Sequence, residues 1–141
     1  MPGAPLLLRN GRPLGGALAD VLVTDGVIAA IGANLAAPAG AAVEDAGGAL
    51  VLPGLVEAHT HLDKSLWGMG WRANDAGPGL LDKIDNERKL KRELNIDPAR
   101  QSARQAALSA AHGSTHIRSH VDVDTDHGLW GIDGVMATRD A

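Results

Sequence analysis

Val51-Leu52-Pro53-Gly54-Leu55-Val56-Glu57-Ala58-His59-Thr60-His61-Leu62-Asp63-Lys64 is the stretch on which the reading of this chain turns. An apolar run broken at Pro53-Gly54 resumes at Leu55 and ends in two histidines spaced i and i+2, with a carboxylate two residues on. On a β-strand, residues two apart share a face, so His59 and His61 can aim two imidazoles at one point. Two such rings suit a divalent metal ion and equally suit a hydrogen-bonded pair at a strand end. Leu55 to His61 is apolar on both faces early and polar only at its end. That is the pattern of a strand buried in a parallel sheet, with its C-terminal end at a functional rim.

Downstream, residues 64–79 show no period and hold Gly68, Gly70, Gly77, Pro78 and Gly79 together with Trp67 and Trp71. A long loop of this kind is uncommon in a compact domain unless it serves a function. The two tryptophans either wall a pocket or anchor the loop to the core. Leu80 to Leu94 reads as a helix whose acid-first pairs Asp85/Lys89 and Glu87/Lys91 make a solvated, charged face. Asp97-Pro98 then opens a second helix, with Asp as N-cap and Pro at the first helical position, and Gly113 closes it.

Ser114 to Val123 is the second informative strand. Its alternation puts His116, Arg118, His120 and Asp122 on one face, where Arg118 would pair with Asp122 or Asp63. His116 and His120 stand about 13 Å apart by strand rise and cannot share one ion. His120, nearer the C-terminal end, is either a pocket residue or a satisfied core histidine. His112, at a helix end, reads as a dipole-favoured cap. Asp-x-Asp-x-Asp over 122–126 lacks the sixth-position Gly and distal Glu of a calcium loop. A last helix is expected over 134–139.

Upstream, residues 1–53 read as short strands separated by turns: one over 6–11 running into an Asn10-Gly11 turn, then 19–23 and 27–32 joined by an Asp25-Gly26 hairpin, 43–45, and 49–52. Such a run belongs to a sheet or sandwich. The strand–loop–helix–strand order that follows produces a parallel βαβ sheet.

Composition removes whole classes of function. The 141 residues contain no Cys, so there is no disulfide, thiolate ligand or thiol nucleophile, and any metal must be held by His and carboxylate, which suits zinc, iron or manganese. A net charge of −4 offers nothing to nucleic acid. No apolar run reaches the ~18 residues of a membrane span, and Met1 to Asn10 has no basic leader, so a cytoplasmic protein is expected. Phosphate loops, dinucleotide Gly patterns and Gly-x-Ser-x-Gly are absent from the sequence.

The stretch Leu52-Pro53-Gly54-Leu55-Val56-Glu57-Ala58-His59-Thr60-His61-Leu62-Asp63-Lys64-Ser65 resembles the start of the barrel in the amidohydrolase superfamily. Thr115-His116-Ile117-Arg118-Ser119-His120-Val121-Asp122-Val123-Asp124 is similar to the branch of cytosine deaminase and the N-isopropylammelide amidohydrolases. The resemblance implies an α/β fold: residues 1–53 as strands of a small composite β-sandwich, and 54–141 as the first two βα units of a (β/α)₈ barrel. It implies one divalent ion, zinc or iron, on His59 and His61, and a metal-activated hydroxide that releases ammonia or an amine from a cytosine-like heterocycle. Asp63, Trp67, Trp71 and His120 are the substrate-pocket candidates. The family's further metal-binding His and Asp, its catalytic Glu and its proton-shuttling His would all lie beyond Ala141, so no catalytic residue is assigned here. The isolated chain is expected to be inactive and to self-associate through the open barrel edge. Two rival readings are a non-catalytic remnant that works only by association with a partner, and a dihydroorotase- or imidazolonepropionase-like ring hydrolase.

Overall fold

A computed structural model describes residues 3–141, which fall into two compact units, Met1–Pro53 and Gly54–Ala141. In the first, β1 (Leu6–Pro13), β2 (Ala19–Thr24), β3 (Val27–Gly32) and β4 (Ala42–Asp45) form a sheet in the order β3-β2-β1-β4, and β5 (Leu50–Val51) pairs with the far end of β1. The β1–β2 and β2–β3 pairs are antiparallel, whereas β4 and β5 run parallel to β1. Asp25 and Gly26, both at positive φ (52° and 77°), close the β2–β3 hairpin.

Asn10-Gly11 is not the turn that its sequence suggests. Asn10 takes the left-handed conformation (φ 53°) inside β1, where the pairing with β2 slips between Leu8 and Gly11. The dipeptide builds a bulge, and the strand continues to Pro13. Gly11 is required there, because a Cβ would stand 2.6 Å from Val51 Cγ2. Asp20, buried beside the bulge, accepts hydrogen bonds from Arg9 Nη1 (3.0 Å), Asn10 N (3.1 Å) and Leu35 N (3.0 Å).

The second unit is mixed α/β. β6 (Leu55–Thr60) leads into a single 3₁₀ turn at Leu62–Lys64, then α1 (Leu80–Glu93), α2 (Pro98–Ala111), β7 (Ser114–Ser119) and α3 (Trp130–Asp140). β6 and β7 pair in parallel, with Val56 opposite His116, Glu57 opposite Ile117 and Thr60 opposite Ser119. The pair forms a two-stranded sheet among the described residues, and Leu55 (56% exposed) and Val56 (63%) stand open to solvent. The expected burial of this strand is therefore not met by the neighbours it has here. The second strand also stops at Ser119, short of the expected Val123, because the chain after His120 leaves the sheet and Asp122 meets Asp63 and Lys64 of the 3₁₀ turn.

Asp97 caps α2 as its position suggests, accepting from the backbone N–H of Ala99 (3.0 Å) and Arg100 (3.3 Å), and Gly113 at φ 92° ends the helix. α1 departs from expectation, since its charged residues are not one solvated face. Lys91 is buried, and both it and Glu87 pair outside the helix, leaving Lys89–Glu93 (3.7 Å) as the i,i+4 pair. α2 and α3 cross where Ser102, fully buried, bonds Thr138 Oγ1 and donates to the carbonyl of Gly134 (3.2 Å). With no Phe or Tyr in the chain, this close approach of small residues takes the place of aromatic packing. No helix among the described residues is long and apolar enough to cross a membrane.

A Cβ on Gly134 would lie 2.6 Å from Ala99 N and 2.7 Å from Pro98 C, which are backbone atoms that cannot rotate away. Gly134→Ala is therefore expected to destabilise the second unit by about 2 kcal/mol despite the better helix propensity of Ala. Urea titration followed by far-UV circular dichroism checks this, and an unchanged or raised midpoint would contradict the packing described.

Candidate metal and substrate site

The site grows out of the parallel register. His59 and His61 project from the same side of β6 and its extension, and the His120 backbone N–H donates to Thr60 O (2.8 Å), which carries β7 one residue past its last pair. Three imidazoles meet as a result. Ring centroids lie 5.8 Å apart for His59–His61, 4.4 Å for His59–His120 and 5.7 Å for His61–His120. Ser119 Oγ holds the junction, accepting from Leu62 N (3.1 Å) and donating to His120 O (3.0 Å). Loss of hydration, reinforced by the charges of His59, Arg118 and His61 beside it, holds His120 below the ordinary imidazole range.

Behind His61 lies a chain of charge. Asp122 Oδ1 stands 3.3 Å from His61 Nδ1, within ion-pair range but off the line of a hydrogen bond, so this buried nitrogen is left without a formed partner. The other Asp122 oxygen accepts from Lys64 Nζ (2.5 Å), which also donates to Glu87 on α1 (2.7 Å). Burial works against the Lys64 ammonium, but its bonds to Asp122 and Glu87 outweigh it and raise the lysine above its usual range. Asp122 and Lys64 are 58 residues apart, so sequence spacing carried no signal of the pair. Arg118 makes no ion pair among the described residues, contrary to expectation, because Asp122 has left the strand face that they would share.

Two observations bear on whether a metal fits. Each ring centre stands ~3 Å from an ion bound at ~2.0–2.1 Å, so the His59–His61 separation is of the size that two imidazoles need to share one ion. A carboxylate at Nδ1 of His61 is also the usual partner of a metal-bound imidazole. Against this, the described residues contain no set of three or more His, Asp or Glu arranged around a common ion position. The pair fits half of a site, and the residues present do not complete it.

The other pocket candidates sit elsewhere. Asp63 is buried (5% exposed); its Oδ2 faces Asp122 N (3.4 Å) and lies 3.3 Å from where a Cβ on Gly131 would be, while Oδ1 has no partner. Burial, foremost, pushes its carboxyl above the usual range. The backbone carbonyl of Trp67 accepts from Gln101 Nε2 on α2 (3.2 Å), and both tryptophans are exposed, Trp71 to 90%. Neither ring stacks on the histidines. His112 Nδ1 lies 2.9 Å from Leu108 O, in keeping with a helix-end cap. His127 belongs to a separate cluster, with Nδ1 3.3 Å from Asp124 Oδ1 and its ring stacked on Trp130.

The sequence profile of the amidohydrolase family matches residues 42–139. The solved structure of N-isopropylammelide isopropylaminohydrolase from Burkholderia multivorans is 43% identical and superposes with a TM-score of 0.88 over 98% of this chain and 34% of that one. The triazine hydrolase of Arthrobacter aurescens, 21% identical with a TM-score of 0.72 over 98% and 34%, shares the fold. The dihydroorotase of Mycobacterium tuberculosis is 55% identical over 58 residues, which are 40% of this chain and 14% of that enzyme. The chain thus spans a minor part of each relative: 34% of the two solved structures and 14% of the dihydroorotase.

The Lys91–Asp124 pair (2.9 Å, side chains 8% and 5% exposed) lies beside this site and ties α1 to the loop after β7. The bond from Lys91, helped by the His127 ring and by the N–H groups of His127 and Asp126, outweighs burial and leaves the Asp124 carboxyl far below the usual carboxylate range. A lowered folded-state pKa gives stability that is complete above the unfolded value of ~3.9 and is lost as pH falls through the folded one. Asp124→Asn, which strands the buried ammonium, is expected to cost about 3 kcal/mol at pH 7. The gap to wild type should close as the pH is taken below ~4. Denaturant midpoints at pH 7, 5 and 3 check this, and a gap independent of pH would refute it.

Proposed function

The chain belongs to the amidohydrolase family, and we propose that it supplies the first strands and half the metal site of a hydrolase that cleaves a C–N bond of an aminated heterocycle. The observation that carries this reading is the meeting of His59, His61 and His120 at the C-terminal ends of two adjacent parallel strands. In α/β barrels that end of the sheet is where active sites form. The exposed apolar side chains of Val27, Ile28, Ile31 and Val43 on the first sheet support a sandwich that needs a second layer. Those of Leu55 and Val56 support a (β/α)₈ barrel of which β6 and β7 are strands.

In this reading His59 and His61 hold one divalent ion, zinc or iron. The ion supplies a nucleophile at neutral pH by acidifying water. The chain's own groups set its surroundings. Asp122, facing Nδ1 of His61, favours the tautomer that leaves Nε2 free as ligand, and Lys64 keeps that carboxylate ionised and in place. Glu87 anchors Lys64 from α1, so the helix position is coupled to the ring. His120, held below its ordinary pKa, offers a neutral ring nitrogen for hydrogen bonding to a heterocycle. Of the four pocket candidates, we retain His120 as the substrate contact and place Asp63 in support beneath it.

Removal of an exocyclic amine is supported by identity over nearly the whole chain to an isopropylaminohydrolase. A dihydroorotase-like ring opening is the second reading, supported by the 58-residue match. The two differ in whether the leaving nitrogen stays tethered to the product. The unpaired strands support a further property, self-association of this chain.

Two outcomes test this reading. The purified chain should bind Zn²⁺ or Co²⁺ weakly, at one ion per chain, and His59→Ala and His61→Ala should each weaken binding at least ~10-fold by calorimetry. Undiminished affinity in both variants would remove the assignment. Turnover should be undetectable with an N-alkylamino-triazine and with dihydroorotate, because two imidazoles fall short of the three protein ligands usual for catalytic zinc. Sustained amine release or ring opening by the 141-residue chain would overturn the half-site reading.

A further inference from the structure

A second cleft, lined by none of the three clustered histidines, lies between the 64–79 loop and the start of α2, with a volume of about 610 Å³. That is within the usual range of small-ligand sites, ~300–1,000 Å³. Arg72, Arg100 and Arg104 all line it, and none of them makes an ion pair among the described residues. The acid in the lining is Asp97, whose Oδ1 is already engaged by the N–H groups of Ala99 and Arg100. Three arginines therefore line one opening with no carboxylate committed to them. Arg72 also borders a neighbouring cleft with Asp75, Lys89 and Glu93, again without pairing.

The walls are held rather than loose. Gln101, 3% exposed and also in the lining, donates through Nε2 to the carbonyls of Ser65 and Trp67, and its Oε1 receives Arg104 Nη1 (3.4 Å). Gly68, at φ +76°, brings the loop backbone against that guanidinium, since a Cβ there would stand 3.1 Å from Arg104 Nη1. One buried amide thus fixes both the loop and one arginine. Trp71, 90% exposed, presents its indole at the same opening.

We propose that this cleft binds a ring-bearing phosphate ester of the nucleotide class. The guanidinium forks of Arg100 and Arg104, four residues apart on α2, would take the phosphate oxygens, with Arg72 closing from the loop and the base stacking on Trp71. The site is independent of the metal reading, because no residue of it touches His59, His61 or His120.

Titration of the 141-residue chain with ADP, adenosine and pyrophosphate, read by tryptophan fluorescence and by calorimetry, tests the proposal. ADP should saturate below ~1 mM, more tightly than either fragment. The Arg100→Ala/Arg104→Ala double variant should weaken ADP at least ~10-fold, and the Lys/Lys version should recover part of that loss. Trp71→Ala should weaken ADP while leaving pyrophosphate unchanged, and His59→Ala should leave ADP binding intact. Absence of saturation by ~5 mM ADP overturns the site. So does equal affinity in a double variant whose circular dichroism matches wild type. Adenosine or pyrophosphate binding as tightly as ADP would overturn the nucleotide assignment.

Discussion

The parallel pairing of β6 with β7 is the constraint on which the second unit depends. Its last hydrogen bond, from His120 N to Thr60 O, places a residue from late in the unit beside two from its start. Residues 61–113, loop and helix, connect the two strands, and closing so long a connection carries an entropic cost that β6–β7 hydrogen bonds alone would not offset. The crossover must therefore contribute stability of its own. It does so by packing α2 and α3 on the 3₁₀ turn that follows β6, where Leu62, Asp63, Gln101, Ser102 and Gly134 are buried.

Much of what is buried there is polar, which makes the arrangement specific as well as compact. Lys64, Lys91, Glu87, Asp122 and Asp124 link α1, the 3₁₀ turn and the segment after β7 through three charge pairs. Buried pairs add little net stability over apolar packing, but a mispaired alternative would strand a charge and be strongly disfavoured. The network thus defines where residues 120–124 run once they leave the sheet. It also couples α1 to the ring of His61 through Glu87, Lys64 and Asp122, so a shift of that helix would be felt at the imidazole.

Local signals in the sequence were legible to the extent that they were local. Asp25-Gly26 forms its hairpin, Asp97-Pro98 opens α2, and the strands of the first unit fall within a few residues of their expected spans. The same logic failed at Asn10-Gly11, because a bulge and a hairpin both ask for a residue at positive φ, and only the pairing with β2 and β5 decides between them. It also failed for the α1 charges, since i,i+4 spacing cannot reveal that Glu87 and Lys91 have better partners 23 and 33 residues away. At the site, period two placed His59 and His61 together, but the meeting with His120 required the register between two strands. Trp67 and Trp71 were grouped by their spacing, but only Trp71 lines the cleft beside α2, and Trp67 reaches that helix through its backbone carbonyl.

Two shortfalls of the second unit lie on one sheet. Among the described residues its strands have no further neighbours, leaving Leu55 and Val56 in water, and on the proposed metal reading its imidazole pair has no further ligand to close around an ion. In a parallel α/β sheet these are one requirement, because each added strand covers apolar surface with its body and delivers side chains to the same rim with its C-terminal end. On the proposed metal reading, strands added to the sheet would be placed to complete the coordination sphere as well. Metal affinity and sheet stability would rise together, since an ion held by ligands from separate strands stabilises only the state in which those strands are assembled.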